Sequence, residues 1–297
     1  MHVGKRGITP RMSDKLQRVT VLGAGTMGHG IAHVCAAAGH TTALYDVSEG
    51  AVEAGLSKVA ANLDKGVARG KVTEEQKATT LANLRGDANF ESAVDGADLV
   101  IEAVPEKLAL KHDVLTRAAK GAAPGAILGT NTSSLSIDAI AEALPDPSRV
   151  IGLHFFNPVH IMKLLEIVVG TKTDPAVYDA AAAFGERIGK QTIKIADSPG
   201  FATSRLGLVI GLEAIRMVEQ GVGSPEDIDK AMTLGYGFPM GPLRLTDLVG
   251  LDVRLHIAEY LSEKLDEGAH FKPPALLRSM VAEGKLGKKS GQGFYSW

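Results

Sequence analysis

The sequence predicts an α/β protein: a doubly wound, mainly parallel sheet with a helix-pair insertion, followed by an all-α C-terminal domain. Three observations carry this. Short β-branched and apolar runs alternate with helical-period segments as far as about Ala196, the pattern of a parallel sheet with helices on both faces. A glycine-rich turn, Gly23-x-Gly25-x-x-Gly28, joins the first apolar run to the first helical segment. The pattern then changes at Asp197-Ser198-Pro199-Gly200, and only helical periods follow.

Val19, Val21 and Leu22 form the first strand, and Met27, Ile31, Val34 and Cys35 recur at helical spacing behind the glycines. Strand, glycine turn and helix in that order make a Rossmann-type dinucleotide site. Gly23 permits the tight turn, Gly25 lets the backbone approach a pyrophosphate, and Gly28 lets the helix pack close to the strand. The N–H groups of the helix start, with Thr26 and Met27, then face the phosphates. The next strand, Thr41 to Tyr45, ends in Asp46, eighteen residues past Gly28. An acid there accepts hydrogen bonds from the adenosine ribose and repels a 2′-phosphate, which favours NAD over NADP. The other reading is a glycine turn without a ligand and a solvated Asp46.

Beyond Asp46, Ser48 caps a helix to about Arg69, and Thr73 with Gln76 forms a capping box for a second helix to about Leu84. A minimal βαβ unit crosses over sooner, so this pair is an insertion. It carries Lys58, Lys65, Arg69 and Lys71, either a solvated face or a grip on a polyanionic substrate. Asp98 to Val104 is a buried strand, Pro105-Glu106 starts a helix through about Lys120, and Ala126 to Gly129 is a further strand ending in Thr130-Asn131-Thr132-Ser133-Ser134. Val150 to Phe156 and Lys163 to Val169 are strands, Pro175 to Ile188 a helix, and Thr192 to Ala196 the last strand. Helices follow from Phe201 to about Glu219, from Ser224-Pro225 onward, from about Leu245 to Leu265 and from Pro274 to Glu283. The expected organisation is a tail (1–17), a cofactor domain (18–198) and a helical substrate and dimerisation domain (199–297).

A chain of 297 residues with a formal charge of −2 and interspersed signs has no bulk affinity for nucleic acid or a membrane. No apolar run is long enough to span a bilayer. The start is basic but lacks an apolar core, so it is no secretory signal and reads as a loose tail. Cys35 is the single cysteine; there is no disulfide framework, and a reducing cytoplasm fits. No metal-ligand pattern is present.

A nicotinamide enzyme that oxidises an alcohol must remove the hydroxyl proton as the hydride leaves, and histidine suits this. His154 lies at the end of a buried strand beside Asn157-Pro158. Glu166 interrupts the apolar run Leu164-Leu165-Glu166-Ile167-Val168-Val169. A buried carboxylate is costly unless paired, and an imidazole is a natural partner; the other reading is an exposed glutamate on an edge strand. Ser133 sits at the cofactor end of the sheet, as a ligand for the substrate oxygen or the nicotinamide amide, or as a plain turn residue.

The segments GAGTMGHGIA, EAVPEKLALK, NTSSLSI, HFFNPVHIMKLLEIV, DSPGFATSRL, GFPMGPLRLTDLVGLD and GKKSGQGFY, in this order, resemble the short-chain L-3-hydroxyacyl-CoA dehydrogenases, whose bacterial members act as 3-hydroxybutyryl-CoA dehydrogenases. The resemblance covers about residues 17 to 297. It implies that His154 is the catalytic base, Glu166 its acidic partner and Ser133 the serine near nicotinamide and substrate oxygen. It implies cofactor contacts at Glu106, Lys111, Asn157 and Lys289, and a homodimer formed through the helical domain. In P-G-F-x-x-N-R the family often has asparagine where Ser204 stands here, which alters a substrate contact. The expected activity is NAD-dependent, reversible oxidation of a short-chain L-3-hydroxyacyl-CoA, with Ser133, His154, Ser204, Lys58 and Lys65 on the substrate. The alternatives are a dehydrogenase of sugar acids such as gulonate, on the same fold, and a catalytically silent dimeric protein.

Overall fold

The structure, a computed structural model, describes residues 16–265 and 268–297. Residues 1–15 of the expected tail lie outside the described residues. Its last two belong to the body: Leu16 is buried, and Gln17 N–H donates to Asp98. The chain divides into two units, Met1–Asp197 and Ser198–Trp297.

The first unit opens with β1 (Arg18–Leu22), α1 (Gly28–Ala37) and β2 (Thr41–Tyr45). The helix pair follows as α2 (Glu49–Ala68), capped by Ser48, and α3 (Glu74–Ala82), where Thr73 and Gln76 close the capping box. The sequence placed the end of this second helix at about Leu84. It stops at Ala82, and Leu84–Asp87 is instead a strand, β3, parallel to β2. Leu-Arg-Gly-Asp carries no alternation, so pairing with β2 makes it a strand rather than local preference. α4 (Phe90–Val94) was not foreseen; one turn is too short to show a period. β4 (Leu99–Glu102) precedes α5 (Leu108–Gly121), which starts later than Pro105-Glu106 suggested. Then come β5 (Ile127–Thr130), the unforeseen short α6 (Ile137–Ala141), β6 (Val150–Phe155), β7 (Leu164–Val169), α7 (Pro175–Arg187) and β8 (Gln191–Ala196).

These strands make one eight-stranded sheet in the order β3-β2-β1-β4-β5-β6-β7-β8. All neighbours are parallel except β6 and β7. Val21, Leu44, Ile101, Ile151, Leu153 and Ile167 are fully buried, because helices cover both faces; this is why the inner strands read as continuous apolar runs. Strand order reverses between β1 and β4, and ligands bind at such a switch point, outside the carboxyl ends of the strands.

The second unit is helical: α8 (Thr203–Glu219), α9 (Pro225–Gly235), α10 (Pro242–Val249), α11 (Leu251–Lys264) and α12 (Ala275–Ala282). The single helix expected from Leu245 to Leu265 is two, broken at Gly250, whose φ of 103° no helix accommodates. Leu208, Leu212, Ile215, Leu243, Leu251, Leu261 and Leu277 form the core. Two buried aspartates organise the joints. Asp229 accepts from the Leu243 and Arg244 N–H groups at the start of α10 and from the Tyr295 hydroxyl. Asp247 accepts from the Phe294 and Tyr295 N–H groups and the Trp297 indole, tying down the C-terminus. A Cβ on Gly241 would lie 2.2 Å from Asp229 Cγ, and one on Gly293 2.2 Å from Asp247 Oδ1, so both glycines are steric requirements. Among the described residues no helix is long and apolar enough to cross a membrane.

Candidate active site

The glycine turn follows β1 at the switch point. Gly23 has φ +104°, and a Cβ there would lie 2.7 Å from the Ala103 carbonyl; one on Gly28 would lie 1.6 Å from the Gly23 carbonyl. Gly25 is different. A Cβ there would meet nothing within 4 Å, so its bare backbone faces open space. Thr26 is exposed and Met27 half-buried beside it. No side chain caps α1 and no acid lies in its first turn, which keeps its positive end available to an anion. Asp46 is not simply solvated. It is half-buried, and its carboxylate accepts the N–H groups of Ala24 and Val47, both at 2.8 Å. The acid at the end of β2 thus holds the glycine turn.

The adjoining strand ends carry a network centred on Glu102, a residue the sequence reading did not single out. Glu102 closes β4 and is fully buried. Its oxygens accept from Lys111 Nζ at 2.8 and 2.9 Å, from Thr130 Oγ1 at 2.7 Å and from Val104 N–H at 2.7 Å. The Lys111 ammonium also lies 3.1 Å from Glu106. Glu106 in turn accepts from the Thr132 hydroxyl, from Ser133 N–H at 3.0 Å and from Ser134 Oγ at 3.3 Å. Burial opposes the charge on Glu106, but Lys111, Thr132 and Ser133 N–H hold its carboxyl below the usual range. Lys111 is 1% exposed, so it reaches the site through Glu106. The network fixes the loop that carries the half-buried Ser133. An acid at the end of Val-Ile-Glu is the same signal that drew attention to Glu166.

His154 and Glu166 are directly opposed across the antiparallel pair β6–β7. His154 Nδ1 lies 2.8 Å from Glu166 Oε2, with Glu166 fully buried and His154 nearly so. The edge-strand reading of Glu166 fails, because β7 lies between β6 and β8. A carboxylate at Nδ1 assigns the proton of the neutral ring to that nitrogen and leaves Nε2 as the basic one. Asn131, at the strand end before Ser133, accepts from Phe155 N–H at 2.9 Å and so ties the Ser133 loop to the end of the His154 strand. In the β6–β7 connection the bond from Asn157 to Pro158 is cis. Lys190 clasps it from below. Its buried ammonium donates to the carbonyls of Val159 and Met162, and burial lowers its pKa. Nothing in the sequence marks Lys190.

Between this connection, α1 and the helix pair lies a cleft of about 940 Å³. Thr26 and Asn157 line it with the cations Lys65, Arg69, Lys71 and Lys163, the imidazoles of His29, His33 and His160, and Asn62. No carboxylate is among the described residues that line it, although the whole chain is formally negative. Lys58, two turns earlier on α2, is exposed and does not line it.

The second unit holds the remaining two candidates. Ser204 lies in the first turn of α8, half-buried. Lys289 is paired with Asp252 in the first turn of α11, at 2.5 and 2.6 Å. Burial opposes that carboxylate, yet Lys289 holds it below its ordinary pKa.

Comparison with known proteins adds the following. Residues 18–198 match the family model described as 3-hydroxyacyl-CoA dehydrogenase, NAD binding domain, and residues 200–297 its C-terminal domain. The chain is 43% identical over 288 residues to a 3-hydroxybutyryl-CoA dehydrogenase of Mycobacterium tuberculosis, covering 96% of this chain and 100% of that one. It is 42% identical to the mitochondrial hydroxyacyl-coenzyme A dehydrogenase of Rattus norvegicus, over 95% of this chain and 91% of that one. The crystal structure of (S)-3-hydroxybutyryl-CoA dehydrogenase from Ralstonia eutropha superposes with a TM-score of 0.92 at 38% identity, covering 95% of this chain and 99% of that one.

Proposed function

The chain belongs to the 3-hydroxyacyl-CoA dehydrogenase family, and from that premise we propose which residues carry its reaction. The protein is an NAD-dependent oxidoreductase that converts a 3-hydroxyacyl-CoA to the 3-ketoacyl-CoA. The cross-strand pair of His154 and Glu166 carries the assignment. His154 Nε2 takes the proton of the C3 hydroxyl while C3 gives up hydride. Glu166, fixed on Nδ1, orients the ring and stabilises the imidazolium as it forms. In the reverse direction the imidazolium protonates the ketone oxygen. Ser133 donates to the same oxygen, and Glu106 and Lys111 hold its loop. Bound NAD supplies the hydride acceptor, with Gly23, Gly25, Thr26, Met27 and Gly28 on its pyrophosphate, Asp46 on its ribose, and Asn157 and Lys289 as further contacts. Burial of Glu166 and the Nδ1 bond support this division of labour.

The substrate is a short-chain L-3-hydroxyacyl-CoA. The cation-lined cleft supports a phosphorylated substrate over a sugar acid such as gulonate: Lys65 takes the nucleotide phosphates, while Lys58 stands outside the cleft lining, and these contacts lower KM more than they change kcat. Ser204 is the proposed further substrate contact, a hydroxyl where the family often has an amide. Residues 18–198 serve the cofactor and 199–297 the substrate and a homodimer, which the exposed Leu206, Val222, Leu234 and Tyr236 support. A reducing cytoplasm suits a chain whose single thiol is buried.

The test is the loss of NADH absorbance with acetoacetyl-CoA, with NADPH and a gulonate/NAD assay in parallel. Turnover with NADH, and poor turnover with NADPH, is expected. Preference for NADPH overturns the role of Asp46. Turnover of gulonate alone overturns the substrate, and silence in every assay overturns the enzyme.

A further inference from the structure

The assignment above uses the cations of the cleft and leaves its imidazoles idle. His29 and His33 stand one turn apart on α1. The ring of His33 stacks on that of His160, centroids 5.4 Å apart and planes at 25°. His33 is 7% exposed, and its Nδ1 is buried with no hydrogen-bond partner among the described residues. His29 has its Nδ1 committed to the Gly25 carbonyl at 2.7 Å.

We propose that His33 and His160 are a proton-linked phosphate-binding element: a phosphoryl group of the substrate's nucleotide settles against the stacked pair and draws a proton onto it. This rests on the reading of the substrate as an acyl-CoA.

The surroundings supply the reason. His160 is faced by His29 and His33 from α1, by Lys65 from α2 with Arg69 and Lys71 beyond its end, by Lys190 from the approach to β8, and by Lys163 from its own connection. Lys190 acts on His33 as well, and the Cys35 thiol near that lysine is pushed up by burial and stays neutral. A proton on either ring therefore meets cations on every side and no carboxylate among the residues of the cleft. Partial desolvation of its exposed ring, then His29, Lys190 and Lys65, hold His160 below the ordinary imidazole value. Burial, then His160, His29 and Lys190, take His33 down to about 4. A phosphate in the cleft reverses the sign of the local field and raises both values. Binding then takes up protons at pH values above the free and below the bound pKa, and affinity rises as pH falls through that window; each unit regained is about tenfold. The same chemistry has a second source in the cofactor's pyrophosphate, because Thr26 of the glycine turn lines the same cleft; the arms of the experiment separate the two.

The experiment is isothermal titration of the whole protein with coenzyme A, and separately with NADH, at about pH 6.5 in two buffers of different ionisation enthalpy, repeated with His160→Asn and His33→Asn. His160 is exposed, so its replacement leaves the fold intact, and the ligand's own titration is common to both proteins. With CoA the wild type should take up on the order of half a proton, and Kd should fall about three- to tenfold from pH 8 to pH 6. His160→Asn should reduce the uptake and flatten the profile, and NADH should bind without it. Equal uptake by wild type and His160→Asn, heats that do not depend on buffer, or uptake with NADH in place of CoA overturn the proposal. CoA binding without proton uptake, in a protein that still reduces acetoacetyl-CoA, sinks this inference alone; absence of CoA binding sinks the substrate reading with it.

Discussion

In the first unit the buried carboxylates of Glu102 and Glu166 face an ammonium and an imidazole. In the second, Asp229 and Asp247 are buried as well, yet they face backbone N–H groups, a phenol and an indole. Both arrangements satisfy a charge that is expensive to leave alone. They differ in what they permit. Backbone, phenol and indole donors do not change charge near neutrality, so the aspartates fix helix ends and the C-terminus. A lysine or histidine partner can change its charge or pass a proton on. The polar groups able to do chemistry are thus gathered at the carboxyl ends of one sheet, while those of the helical unit hold architecture.

The largest expected effect tests the chemical side of this contrast. His154→Ala should lower kcat by roughly 10²- to 10⁴-fold, the weight of a positioned acid–base group, with NADH affinity nearly unchanged. Near-normal kcat in steady-state assays would show that the pair is architectural, like the aspartates.

Next comes Lys111→Met, which leaves Glu102 buried against two neutral donors. Removing one partner of a buried pair costs about 3–5 kcal/mol, read from chemical denaturation at pH 7. Burial raises the pKa of Glu102 even with Lys111 beside it; removing the cation raises it further and makes the charged form costlier still. A raised folded value favours folding below the unfolded pKa and is lost as pH rises through the folded one. The variant's deficit should therefore be smaller near pH 4 than at pH 7; a deficit that grew toward acid would contradict the pairing. Adding Glu102→Gln should restore part of the loss.

Asp247→Asn is expected to be the mildest. A carboxamide offers one acceptor oxygen to three donors, and a donor left unsatisfied costs about 1–3 kcal/mol. Tm should fall, and kcat should hold. A change in the pH profile of kcat would erase the distinction between the two units.

Much of this was legible along the chain. The glycine turn, Asp46, the inner strands, the caps at Ser48 and Thr73 and the change of character at Ser198 all rest on local patterns, because backbone geometry and burial on both faces constrain neighbouring residues directly. An acid in an apolar strand predicted its own partner, since burial forces pairing: His154 for Glu166. What escaped depends on distance in sequence. β3 is a strand through β2, and α4 and α6 are too short for a period to emerge. Gly250 breaks a helix that composition alone continues. Glu102 with Lys111, the clasp of Lys190 on the connection after His154, and the stacking of His33 on His160 join residues from different elements. Only the packed sheet decides which charges meet, because the energy of a charge depends on its neighbours in space and on the water they exclude, and neither is written in the order of the residues.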